Sequence, residues 1–170
     1  MKSIFSKGRL KEKLNKHFIF IEAPIDVVGP EIIKWGEAQW WPKDCASQFT
    51  RVGGPGDIFL GTHYRQKIKL PLAPQWDVEV TELVPNREIA RTFLNGIFKG
   101  YEIVKAEYRS NGTRVDYELH YQIKGLLNKI LWLIFFKRMH DQNIKMILEA
   151  LKKFTLQKYE NMQNRQWEDK

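Results

Sequence analysis

From Thr113 to Lys124 apolar and polar residues alternate, Val115, Tyr117, Leu119, Tyr121 and Ile123 standing between Asp116, Glu118, His120 and Gln122. A period of two predicts a strand with one buried face. At Gly125 the period changes. Leu126, Ile130, Leu133, Lys137, His140, Ile144, Ile147, Leu148, Leu151, Phe154 and Met162 fall on three- and four-residue steps, one face of a helix. About 35 residues at roughly 1.5 Å each make a rod of about 50 Å. Such a rod needs a broad apolar surface to lie on, and the preceding chain reads as that surface.

The pattern before it is mostly strand. His17 to Glu22 is the first, ended by Ala23-Pro24, which opens a helical segment reaching Ile33 or Trp35 with Pro30 inside it. Gly36 to Trp41 reads as a second short helix, stopped by Pro42. Strands follow at Cys45–Val52, Phe59–Leu70, from Trp76 to before Pro85, Arg87–Leu94 and Ile97–Arg109, and Asn111-Gly112 is a hairpin turn into the last. Residues 1–15 read as a short amphipathic helix with sparse apolar points. The order is β-α-α-β-β-β-β-β-β-α: an α+β fold in which a curved antiparallel sheet of about seven strands wraps a long C-terminal helix. It contains no parallel βαβ unit, which argues against a dinucleotide fold.

Composition adds limits. A chain of 170 residues with 43% hydrophobic content fills one core. The single cysteine, Cys45, excludes an intrachain disulfide and suits a reducing compartment. The longest apolar run, Ile130 to Phe136, is far short of the roughly 20 residues of a membrane span, and a cytoplasmic protein is expected. The net charge of +8 is concentrated at the start, where residues 1–16 carry six basic side chains against Glu12. The body lacks basic residues interleaved with aromatics on one face, so no nucleic acid is expected as partner. His17, His63 and His120 show no metal-ligand spacing with each other or with Cys45, and no metal or cofactor is expected.

The chain resembles the START/polyketide-cyclase (SRPBCC, helix-grip) superfamily, in its polyketide cyclase/dehydrase-like branch. The residues that carry the likeness are Ile21-Glu22-Ala23-Pro24, Trp41-Pro42, Val80-Thr81-Glu82-Leu83, Gly112-Thr113-Arg114-Val115 and Leu148-Glu149-Ala150-Leu151-Lys152, in that order. Members often have Val-Trp in the first helix, where this chain has Val28-Gly29-Pro30. The resemblance implies one domain over residues 16–160, after a basic extension (1–15) and before a polar tail (161–170). It also implies a cavity between sheet and helix that takes a lipid, polyketide or aromatic molecule.

On that fold the pocket residues are expected to be Tyr64, Gln66, Ile68, Trp76, Val78, Val80, Glu102, Val104, Val115, Tyr117, Leu119 and Tyr121 from the sheet, with Leu133, His140 and Ile144 from the helix. An inward carboxylate is costly unless paired or protonated. Glu102 and His140, with Tyr64, Tyr117 or Tyr121, therefore stand out as a polar spot; the plainer reading is a strand bend and a satisfied core histidine. Trp35, Trp40 and Trp41 cluster near the expected portal. Leu127, Leu131, Ile134 and Phe135 form a second apolar helix face, which a homodimer, a membrane surface or the 1–15 extension would cover. The leading expectation is a non-catalytic binding or carrier domain for a small hydrophobic ligand. The alternatives are a cyclase/dehydratase-type lyase or isomerase using Glu102 and His140, and a chaperone-associated interaction module.

Overall fold

Alternation between Thr113 and Lys124 builds the longest strand pairings in the molecule. In the computed structural model, residues 12–71 and 73–168 are described. The elements are β1 (Lys13–Ile21), α1 (Ile25–Ile33), β2 (Ser47–Arg51), β3 (His63–Ile68), β4 (Gln75–Val84), β5 (Glu88–Phe93), β6 (Phe98–Arg109) and β7 (Gly112–Ile123). Helix α2 (Leu126–Leu131), a π-helical turn (Trp132–Phe136) and α3 (Lys137–Glu168) then run on as one rod. The seven strands form one antiparallel sheet in the order β1-β7-β6-β5-β4-β3-β2. Ile144, Ile147, Leu148 and Leu151 of α3 are buried with Val115, Tyr117, Leu119 and Tyr121 of β7 in one core. Burying a side chain of this size contributes about 1.5–3 kcal/mol.

The first strand begins earlier than its pattern suggests. Lys13 lies opposite Tyr121, and pairing continues to Ile21 opposite Thr113. Lys13–Asn15, expected as the end of a helical extension, are strand; the rest of that extension, 1–11, lies outside the described residues. The facing of β1 is inverted: Leu14 and Phe18 are exposed while Asn15 is buried. Strand β1 is an edge, and its polar inner residues meet polar groups on the rod.

The expected helix at Gly36–Trp41 is a run of single turns, closed by Glu37 N–H to Lys34 C=O and Trp41 N–H to Ala38 C=O. Gly36 has φ +93°, the left-handed region that halts a helix. In α1, Pro30 is accommodated without ending the helix. Gly29 is needed because a Cβ there would strike the backbone carbonyl of Asn86. The last hairpin turns one residue earlier than expected, on Ser110-Asn111, because Arg109 pairs with Gly112.

The largest departure is in the rod. Leu126, Ile130 and Leu133, expected to face the sheet, are 74%, 45% and 59% exposed, and Trp132 is the residue buried there. The π turn fits an extra residue into its turn through i→i+5 bonding. That shifts the phase of everything before it, turning Trp132 inward and Leu133 out.

Candidate functional site

Between the concave face of the sheet and the rod lies a narrow cavity bordered by Trp35, Trp41, Phe49, Trp76, Phe98, Tyr117 and Trp132 among others. It leaves about 50 Å³ for the centre of a water-sized sphere, inside a region of about 680 Å³ unfilled by atoms that includes its mouth. One water needs roughly 10–15 Å³ of such room. The space is therefore a slot between rings, rather than the open hollow the resemblance implied. Trp35 stacks on Tyr117 at 5.7 Å and meets Trp41 edge-on at 5.3 Å, while Phe98 meets Trp132 edge-on at 5.0 Å.

Its polar groups are few, and most are already engaged. Glu102 on β6 is buried directly opposite Arg91 on β5. Arg91 Nη2 lies 2.7 Å from Glu102 Oε1, and Tyr117 donates to Oε2 at 3.0 Å. The guanidinium also donates to the Trp35 carbonyl at 3.0 Å and lies over the Phe49 ring at 4.4 Å. Complete burial pushes the Tyr117 phenol well above its ordinary pKa, and the adjoining Glu102 carboxylate adds to that. Tyr117 is thus a donor at neutral pH. At the other side of the slot Trp76 donates to Gln66, which donates to Ser47, each at 2.9 Å.

His140 differs from these. Its Nε2 is sealed from solvent and has no hydrogen-bond partner among the described residues. The rings of Trp132 and Tyr117 stand 5.7 and 5.8 Å away. Burial lowers its pKa from 6.5 to about 4; nearby Asp141 opposes this, and His17 and Lys137 add to it. The imidazole is therefore neutral at pH 7, with Nε2 unpartnered among the described residues. Beside it is a polar seam between β1 and α3: Asp141 accepts from Asn15 at 2.7 Å and Lys137 at 2.9 Å, with His17 Nε2 at 3.1 Å. Burial raises the Asp141 pKa, but these hydrogen bonds outweigh it and hold the group below the usual carboxylate range.

No protein-family model matches the sequence, and no curated protein does. Solved structures do. A Thalictrum flavum norcoclaurine synthase variant, in complex with a transition-state analogue, matches with TM-score 0.64 at 12% identity, over 86% of this chain and 96% of its own. The Zhui aromatase/cyclase of a Streptomyces species matches with TM-score 0.63 at 15% identity, over 85% and 94%. Ara h 8.0201 matches with TM-score 0.56 at 13% identity, over 86% and 99%. This is the helix-grip fold. The resemblance read in the sequence had implied it.

Within the helix-grip frame, Gln66, Ile68, Trp76, Glu102, Tyr117, Leu119, His140 and Ile144 border the slot. Tyr64, Val78, Val80, Val104, Val115 and Tyr121 are buried core around it without bordering it. Leu133 points away, for the phase reason above. The expected acid–base pairing of Glu102 with His140 is not the arrangement found: the partners of Glu102 are Arg91 and Tyr117. Sequence reasoning missed Arg91, the one buried cation among the described residues. Its signal was there, since in a strand reading Ile89-Ala90-Arg91-Thr92-Phe93 alternation sets Arg91 on the face of Ile89 and Phe93. It also missed Trp132, whose inward facing depends on the π turn, and Phe136, Met139 and Asn143, which border the slot beside His140 and Ile144.

Proposed function

We propose that this chain binds one small, flat, largely apolar molecule between sheet and rod. The observation that carries the reading is the unpartnered His140 Nε2 at the wall of an aromatic slot whose Glu102 and Gln66 side chains are already paired. A neutral imidazole in that position offers one hydrogen bond to a ligand, and aromatic rings lining the slot favour a flat apolar body. Two of the structural neighbours are named for a cyclase and a synthase, the second in complex with a transition-state analogue, which agrees with this fold serving to bind a small molecule. For proton-transfer chemistry, the pairing of Glu102 with Arg91 and the low basicity of His140 are both unhelpful. Binding is therefore preferred to a cyclase or dehydratase reaction. Leu127, Ile134 and Phe135, with the half-buried Leu131, complete the reading as an outward contact face.

Native mass spectrometry and organic extraction of the purified protein test this. One equivalent of an apolar molecule is expected, with thermal stabilisation by planar aromatics that carry a single hydroxyl. Ile144→Trp, which fills the slot, abolishes both and leaves the fold intact. His140→Phe weakens binding by about five- to tenfold, the worth of one neutral hydrogen bond. No bound molecule, together with no stabilisation across a panel of lipids and aromatics, removes the proposal.

A further inference from the structure

Six large apolar side chains on ten consecutive residues of the rod, Leu126, Leu127, Ile130, Leu133, Ile134 and Phe135, are 45–74% exposed. Soluble proteins seldom leave so continuous a patch uncovered. Around it the charge has one sign. From Lys124 to His140 there are four basic residues and no acidic one. Lys137 is tied to Asp141, but Lys124, Lys129 and Arg138 make no ion pair among the described residues.

Topology adds to this. The sheet end that meets the start of α2 also carries the β3–β4 loop and the β5–β6 turn, since Ile68, Gln75, Phe93, Phe98 and Ile123 all end or begin strands there. Leu70 and Leu94, on these connections, are exposed apolar residues, and Lys67, Lys69 and Lys99 stand beside them. Strand β1 starts at the same end, with Lys13 opposite Tyr121. In sequence, the residues before β1 include Lys2, Lys7, Arg9 and Lys11, with no acidic residue before Glu12.

We propose that this end of the molecule docks on an anionic lipid surface, with Leu133, Ile134 and Phe135 entering the headgroup boundary and Lys124, Lys129 and Arg138 lying against the phosphates. An apolar helix face flanked by cations is the pattern of an interfacial helix. Charge decides against the other occupants. A second copy meeting this patch symmetrically would set each basic rim against its own duplicate, an unfavourable like-charge contact. The basic leader would meet the same repulsion. A nucleic acid would leave the six apolar side chains unsatisfied. Docking gives the slot a purpose, because Trp132 and Phe136 border it from the inner side of the π turn that presents Leu133–Phe135 outward. That last link, exchange of ligand with the membrane, rests on the proposed ligand site; the docking itself does not.

Co-sedimentation of the full chain with vesicles tests the proposal. Phosphatidylcholine vesicles holding about 30% phosphatidylserine are expected to take up the protein at least about tenfold better than phosphatidylcholine alone, with uptake falling at high salt. Leu133→Ser/Ile134→Ser/Phe135→Ser abolishes uptake while circular dichroism and the unfolding midpoint stay unchanged. Lys129→Glu/Arg138→Glu weakens it by about fivefold or more per charge. Ile144→Trp keeps vesicle uptake, so a failed ligand site and a failed docking surface give different results. Equal uptake by neutral vesicles, uptake by the triple serine variant, or a dimer in sedimentation velocity that Ile134→Asp dissolves would each overturn it.

Discussion

The two halves of the closing rod have similar apolar content and opposite fates. From Ile144 to Leu151 the helix buries Ile144, Ile147, Leu148 and Leu151 to 5% exposure or less, against a sheet of matching curvature. From Leu126 to Phe135 it buries Trp132 and leaves six large apolar side chains outside. Composition does not separate these segments. The difference lies in what each faces, and in a π turn that hands the inner position to one broad ring. Burial in this molecule is a property of neighbours, and the uncovered half is where it has surface left for something else.

Equilibrium urea unfolding breaks or sharpens that contrast most directly. Leu151→Ala is expected to cost about 2–5 kcal/mol, whereas Leu133→Ala stays within about 0.5 kcal/mol. Equal losses would mean the exposed half is covered in solution. On the sheet side facing the buried half, Arg91→Met leaves Glu102 without its cation, at a cost of about 3–5 kcal/mol. Adding Glu102→Leu to Arg91→Met should recover most of it, and a double variant as unstable as the single one would show that packing, not the charge pair, matters at this point.

His140 stands where the two halves meet, and it predicts a pH dependence. Its folded pKa of about 4 lies below the ordinary 6.5, so the unfolded chain binds the proton more readily. The stability it contributes is complete above pH 6.5 and is lost as pH falls through about 4, by about 3 kcal/mol in total. His17, Lys137 and Asp141 face the same imidazole, and Asp141 loses its own contribution at still lower pH. Unfolding of His140→Gln followed from pH 7 to 4 should therefore show a shallower decline than the wild type; identical slopes would refute a buried neutral imidazole. Among the buried positions the smallest effect is expected from Trp132→Phe, which removes the 3.0 Å hydrogen bond from Nε1 to the Tyr121 hydroxyl. About 1 kcal/mol should be lost, and no loss would mean the π turn does not pin that ring.

Much of the site was readable before the fold was known, for a physical reason. Alternation reports facing directly, so Gln66, Trp76, Glu102, Tyr117 and Leu119 could be placed inward from their own strands. Arg91 could have been placed too, on the face of β5 it shares with Ile89 and Phe93, but its pairing with Glu102 could not, because register is a relation between strands. The inverted facing of β1 had the same cause: nothing local says that Asn15 turns inward, but Asp141, 126 residues away, accepts its hydrogen bond.

The chain's periodicities alone determined seven strands, one long terminal rod and their order, because backbone hydrogen bonding allows few periods and side-chain polarity marks which is in use. Only the tertiary structure decided that the Gly36–Trp41 stretch is turns, that Leu133 yields its place to Trp132, and that Glu102 belongs to Arg91 rather than His140. Each of these depends on a distant group occupying space or supplying charge: the ring of Phe49 beside Gly36, the room for one indole under the π turn, and the cation opposite in register. A pattern of single residues carries no record of such partners, so the fold was legible and the wiring of its cavity was not.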